Sequence, residues 1–229
     1  MGNKKNHPSS AHQPVNLSGW QPIFTIMKKI CLLAFLLLGT QQLFAQDECG
    51  VWRWRQKLLL DRSNIDWFAI QPERATITEL RNLKEPNEYS HTNLEDADMD
   101  RQADERRMVK MTCYVYDVKV NEKDMEYRLL LSTHKDGTGD KMSAWIPNPR
   151  CSSLNIYPYL KRKYADARYV ADDIKSWNDA GYVVKVDLLA VPFWNMPCDK
   201  DGCTPTGIEL HPVFKLKAYL PKTGGFRRN

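Results

Sequence analysis

The sequence lacks most of what would announce an activity. Its longest apolar run, Ile30 to Leu38, has nine residues, well short of the ~20 that cross a bilayer. There is no CxxC pair and no HxxxH, the spacings on which many zinc sites are built. No lipobox precedes Cys31 or Cys49, so no lipid anchor is expected. Nor is there much net charge once it is divided by position. The formal total is +5, but residues 1–45 hold Lys4, Lys5, Lys28 and Lys29 and no acidic residue. Removing those four from 33 leaves 29 basic residues against 28 acidic, a net of +1. Nucleic-acid affinity rests mainly on backbone phosphate contacts, so it is disfavoured as the function. A composition of 42% hydrophobic and 27% charged residues excludes wholesale disorder and a multispanning membrane protein.

What is present first is a leader. Residues 27–45 combine a positive start (Lys28, Lys29), the nine-residue apolar run and the small Ala45, the layout of a cleaved signal peptide. Export is expected, periplasmic or secreted, with the mature chain starting near Gln46 and no stable membrane span after cleavage. Residues 1–26 are polar and patternless; with Met27 as initiator they are an untranslated upstream extension, and a long n-region of the leader is the alternative.

Export makes disulfides available. Cys31 leaves with the leader, and Cys49, Cys113, Cys151, Cys198 and Cys203 remain, an odd number. Cys198 and Cys203 enclose four residues including Gly202, which suits a local clip. Cys49 and Cys151 border expected elements, and a bond between them would tie the N-terminal segment to the main domain. Cys113 lies in an apolar strand, where a buried free thiol is expected. No metal and no cofactor is implied.

Along the chain, Trp52-Arg53-Trp54-Arg55 alternates aromatic and basic residues. It fits a half-buried strand and also a stacking surface for single-stranded nucleic acid; the strand is favoured. Thr76 and Glu79 stand at capping-box spacing before a short helix ended by Pro86. Residues 87–107 are polar and charged, as in a solvated linker or exposed helix.

Beyond them the patterns are regular. Met108–Val120 alternates as a long strand, with Val109, Met111, Cys113 and Val115 on one face and Lys110, Thr112, Tyr114 and Tyr116 on the other. Strands follow over 125–132 and 142–146. A helix is expected over 155–178 with an apolar stripe from Leu160 to Trp177. Strands over 182–193 and 208–219 complete the series, the last with Ile208, Leu210, Phe214 and Leu216 inward. Three strands, one helix and two strands give a mainly β (α+β) chain with an OB-like five-stranded barrel, preceded by an N-terminal strand and a short helix; element order alone does not prove closure, and an α+β sandwich is the alternative. The expected division is 1–26, 27–45, a 46–107 N-terminal segment and linker, a 108–220 barrel and a 221–229 tail.

The stretch Gly207-Ile208-Glu209-Leu210-His211-Pro212-Val213 resembles the C-terminal signature of an uncharacterised family of exported bacterial proteins. So do Cys49-Gly50 with Arg53-Trp54 and Lys57, the helix start Thr76-Ile77-Thr78-Glu79-Leu80, Tyr127–Leu131, and the turn Ile146-Pro147-Asn148-Pro149-Arg150-Cys151. The resemblance runs in order through the mature chain and supports pairing Cys49 with Cys151. It implies no established activity. In that family the loop before the signature carries an aromatic-Asp pair and a His-Gly. Here Trp194-Asn195 and Cys198-Asp199 stand instead, which argues against catalysis.

Two candidate sites remain. Glu209 and His211 lie two apart on one strand face and form a candidate acid–base pair for a hydrolase or nuclease. The plainer account has His211 bonding backbone at the kink before Pro212, with no third catalytic partner; His91 and His134 lie elsewhere. Asp199-Lys200-Asp201-Gly202 begins like a calcium loop, but the downstream Glu such a loop needs is missing. In an OB barrel that segment joins strands four and five beside the usual ligand face. There Arg128, Trp145, Tyr114, Tyr116 and Lys200 are the candidate ligand-binding residues. The leading expectation is a binding or interaction module for an unidentified ligand, an oligosaccharide or a peptide before a nucleic acid. The alternatives are the Glu209/His211 enzyme and a structural envelope protein.

Overall fold

The computed structural model describes residues 54–60, 65–86, 101–151, 158–195 and 197–219. Its elements are α1 (Trp54–Lys57), β1 (Glu73–Arg74), α2 (Ile77–Arg81), a 3-10 turn (Ala103–Arg106), β2 (Val109–Val120), β3 (Tyr127–Ser132), β4 (Lys141–Ile146), α3 (Pro158–Asp179), β5 (Val184–Trp194) and β6 (Ile208–Tyr219).

The alternation in β2 sets the architecture. Val109, Met111, Cys113 and Val115 are buried, and the residues between them face outward. A twelve-residue strand is longer than one partner needs. The Val109–Val115 half of β2 pairs antiparallel with β5, and the Tyr114–Val120 half with β3. A register shift between Val115 and Asp117 bends the strand where one partner hands over to the other. The order β2-β3-β4-β6-β5 then returns to β2, with β4 and β6 parallel at Ala144 and Leu210. The result is a closed five-stranded barrel of OB-like order, and β1 adds a lone parallel strand beside β2.

Inside the barrel lie Val109, Met111, Val115, Leu129, Leu131, Met142, Ile146, Val186, Leu188 and Leu210. The Cys113 thiol joins them; burial pushes its pKa far above the ordinary range, with Asp187 adding to the effect. In β6 the expected stripe slips. Val213 enters the barrel core while Phe214 joins a second cluster outside it. The ladder shifts register between Ala190 and Pro192, so Pro192 pairs with Leu210 and Ala190 with Val213. That extra residue turns Phe214 to the other face.

The long helix sits between β4 and β5, as the element order requires. It buries Leu160, Tyr164, Ala167, Ala171 and Ile174, one stripe at spacings of three and four. Its end is a Schellman arrangement: Gly181 has φ 86°, its N–H donates to Asn178 O at 2.8 Å, and Tyr182 N–H donates to Trp177 O at 3.0 Å. Among the described residues no helix is long and apolar enough to cross a membrane.

The N-terminal segment departs from expectation in two places. Residues 54–57 form one helical turn, where a strand had been expected over 52–55; Trp52 and Arg53 lie outside the described residues. Leu58 and Leu59 are both buried, which a strand of period two could not achieve on one face. They join Trp67, Leu160, Tyr164 and Phe214 in the second cluster, and Tyr164 OH donates to Leu58 O at 2.9 Å. Residues 101–107 are the second departure, since they are anchored rather than a solvated linker. Arg101 and Glu105 are buried. Arg101 donates to Gln56 O and lies 4.8 Å from the Trp67 ring centre, while Glu105 accepts from Trp194 N–H at 2.8 Å. A local charge count cannot see this, because the partners lie 45 and 89 residues away.

The α2 capping box is as expected. Thr76 and Glu79 satisfy each other's backbone N–H, and Ile77 and Leu80 are buried. Cys151 is disulfide-bonded; Cys49, the partner that the resemblance implies, lies outside the described residues, as do His91 and the tail.

Candidate functional site

Two neighbouring features occupy the region that the sequence singled out. One is a buried imidazole between two carboxylates. Glu209 and His211 share a face of β6, and His211 Nδ1 lies 3.7 Å from Glu209 Oε1. On the ring's other edge, Nε2 lies 3.3 Å from Glu126 Oε1. Glu126 immediately precedes β3 and is the third partner that sequence reasoning missed. Nothing local marks it, since β4 stands between β3 and β6 in the barrel and the pairing of β4 with β6 brings Glu126 to His211. Among the described residues neither ring nitrogen bonds backbone, contrary to the plainer account of this histidine. The His211–Pro212 bond is cis.

The electrostatics are those of a closed ion pair. Burial opposes charge on His211, but Glu126 beside it prevails and holds its pKa above the usual 6.5. Burial likewise opposes charge on Glu126, and His211 prevails, holding it below the usual 4.5, with Lys57 assisting. Both Glu209 oxygens are engaged. Oε2 accepts from Trp145 Nε1–H at 2.8 Å and Oε1 from Asn195 Nδ2 at 3.0 Å. The His211 side chain is 1% exposed, Glu126 9% and Glu209 10%. The two carboxylates stand at opposite edges of one ring and do not converge on a point, and among the described residues no group of three His, Cys, Asp or Glu is placed to share a metal ion. His134 lies in an exposed turn, bonded to Thr138.

The second feature is the clipped loop between β5 and β6. Cys198 and Cys203 are bonded, with Cα atoms 5.6 Å apart. The loop is drawn in by Asn195 N–H to Gly207 O at 2.9 Å and Cys203 N–H to Lys200 O at 2.9 Å. It lies over the outer face of β3 and β4. Ser143 Oγ donates to Gly202 O at 2.8 Å, and Arg128 donates to Ser143 Oγ and to Asp201 O, each at 2.9 Å. Gly202 is required there: its φ is +79°, and a Cβ would come within 2.6 Å of Leu130 Cδ2. Asp201, the residue that resembled a calcium-loop ligand, pairs with Lys141 Nζ at 3.0 Å instead.

Between loop and barrel remains a pocket of about 190 Å³, with Arg128, Trp145, Lys200, Asn195 and Glu209 in its walls. Three of the five expected ligand-binding residues, Arg128, Trp145 and Lys200, are thereby brought together. Tyr114 and Tyr116 are not. They pack with Leu130 and Val183 on the outer face of the barrel, and Tyr116 is buried with Lys141 Nζ 4.6 Å from its ring centre. Trp145 is not a bare stacking platform either. Arg128 lies 5.5 Å from its ring centre, and the His211 ring stacks on it at 6.1 Å and 13°. His211 and its two carboxylates thus support the pocket from behind, through Trp145 and Glu209.

Compared with known families, with curated proteins and with solved structures, the chain finds no match.

Proposed function

We propose that this chain is an exported, non-catalytic binding module that takes one polar unit of an oligosaccharide in the pocket beneath its clipped loop. The observation that carries the reading is the convergence of Arg128, Trp145 and Lys200 with Glu209 around a preshaped cavity. A loop tied by a disulfide needs less ordering on binding. At about 190 Å³ the cavity is smaller than the ~300 Å³ at which pockets for drug-sized ligands begin. It suits a single terminal unit rather than a run of them, and a peptide end is the second candidate. The leader-like residues 27–45 and the resemblance to an exported family support export.

The hydrolase reading, with Glu209 and His211 as the catalytic pair, has less support, since the imidazole is enclosed and has carboxylates on both edges. The test is a screen of the mature protein against neutral oligosaccharides and short peptides, run for binding and for turnover. Saturable binding without turnover, weakened in Lys200→Ala, is the expected result. Turnover abolished by His211→Ala in a folded protein would replace this reading with the enzymatic one.

A further inference from the structure

A larger concavity lies elsewhere on the barrel. The outer face of β2, β5 and β6, walled by β1 and the start of α2, forms an open groove of about 790 Å³. Its floor follows from the strand register. Arg74 pairs with Lys110, Lys110 with Leu189, and Leu189 with Lys215. Paired residues point to the same face of a sheet, so three cations and one leucine form a single row across four strands. At ~4.8 Å per strand the row spans about 14 Å. The next row is Thr112, Asp187 and Lys217.

Arg74, Lys110 and Lys215 have no ion-pair partner among the described residues, and all three are exposed. The groove holds two carboxylates, and both are engaged locally. Asp187 accepts from Thr112 Oγ1 at 2.6 Å and from Tyr219 OH at 2.5 Å, and Glu79 belongs to the capping box. Four cations against two carboxylates make this a locally positive surface on a chain whose net charge beyond residue 45 is +1.

We propose that this groove binds a linear polyanionic glycan, with uronate carboxylates or sulfate esters along Arg74, Lys110 and Lys215. A single small anion cannot reach across the row, whereas charges repeating at roughly 5 to 10 Å match one or two strand spacings. Single-stranded nucleic acid would need aromatic platforms for its bases, and among the described residues no aromatic side chain is in the groove's lining; Tyr219 beside it is tied by its OH to Asp187. This site shares no residue with the pocket under the clipped loop, and the two proposals stand or fall separately.

The test is titration of the mature protein with an oligogalacturonate, a heparin oligosaccharide, a neutral dextran oligomer of equal length and oligo(dT). The two anionic glycan arms separate carboxylate from sulfate as the charge source. The expected result is saturable binding of at least one of the two, none of dextran, and affinity that falls as salt rises. Lys110→Gln with Lys215→Gln should weaken that binding roughly tenfold or more and flatten its salt dependence. Both substitutions are on exposed faces, and a melting curve checks that the fold is kept. Lys161→Gln, on the exposed side of α3, should change nothing. Failure of both glycans to bind at low salt, equal binding by the double variant, or tighter binding of oligo(dT) would each overturn the proposal.

Discussion

At the scale of single residues, the strongest commitment in the molecule is His211. A buried carboxylate left without its cation is costly, of order 3–5 kcal/mol, so His211→Ala should lower stability by about that much in urea unfolding. The pH dependence follows from the two shifts. His211 has its pKa raised above 6.5 by Glu126 despite burial, so its contribution is complete below pH 6.5 and is lost as pH rises through the raised value. Glu126 is lowered below 4.5 by His211 despite burial, so its contribution is complete above pH 4.5 and is lost as pH falls through the lowered value. The difference in stability between the parent and His211→Ala should therefore be greatest between pH 4.5 and 6.5 and shrink on both sides. Asp124 and Lys57 also face this cluster, which is why the difference is the quantity to measure. A flat difference across pH 4 to 8 would mean that the pair is not charged. Glu209 and His211 were legible from the sequence as neighbours on a strand face. Glu126 was not, since its partner is 85 residues away and a Glu at a strand start ordinarily faces water.

At the scale of elements, the clipped loop is where local chemistry and tertiary packing meet. Gly202→Ala should cost about 2 kcal/mol, from the positive φ and from contact with Leu130. Opening the disulfide with Cys198→Ser and Cys203→Ser should cost about 2 kcal/mol by the entropy of so short a ring. Both changes should also weaken binding in the pocket, because Ser143 and Arg128 hold the loop through the backbone carbonyls of residues 201 and 202. Chemical denaturation together with a binding titration checks both effects; an unaltered affinity in either variant would detach the loop from the site. The clip itself was readable from two cysteines and a glycine. Its docking on β3 and β4 was not, because it depends on Ser143 and Leu130, which carry no distinguishing spacing. The helical turn at Trp54–Lys57 was misread for a related reason: alternating Trp and Arg has the period of a strand, and the burial of adjacent Leu58 and Leu59 appears only against α3.

At the scale of the whole molecule, the order of three strands, a helix and two strands pointed to an OB-like barrel but left an α+β sandwich open, and the register of β2 decides between them. A strand of twelve residues with one bulge can serve two partners, and parallel pairing of β4 with β6 leaves a closed ring. What order could not supply was the partition of the surface into a small pocket under a tied loop and a broad basic groove on other strands, since each depends on register. The central claim is that the pocket bounded by Trp145 is a binding site backed by a structural ion pair. Its most direct test is the indole N–H signal of Trp145, which donates to Glu209 at 2.8 Å, followed while neutral oligosaccharides are titrated into the protein. The account predicts a saturable shift of that signal, moved to higher ligand concentration when Cys198 and Cys203 are both replaced by serine, with the ligand recovered intact. An unmoved indole signal, or a ligand cleaved in a His211-dependent way, would contradict it.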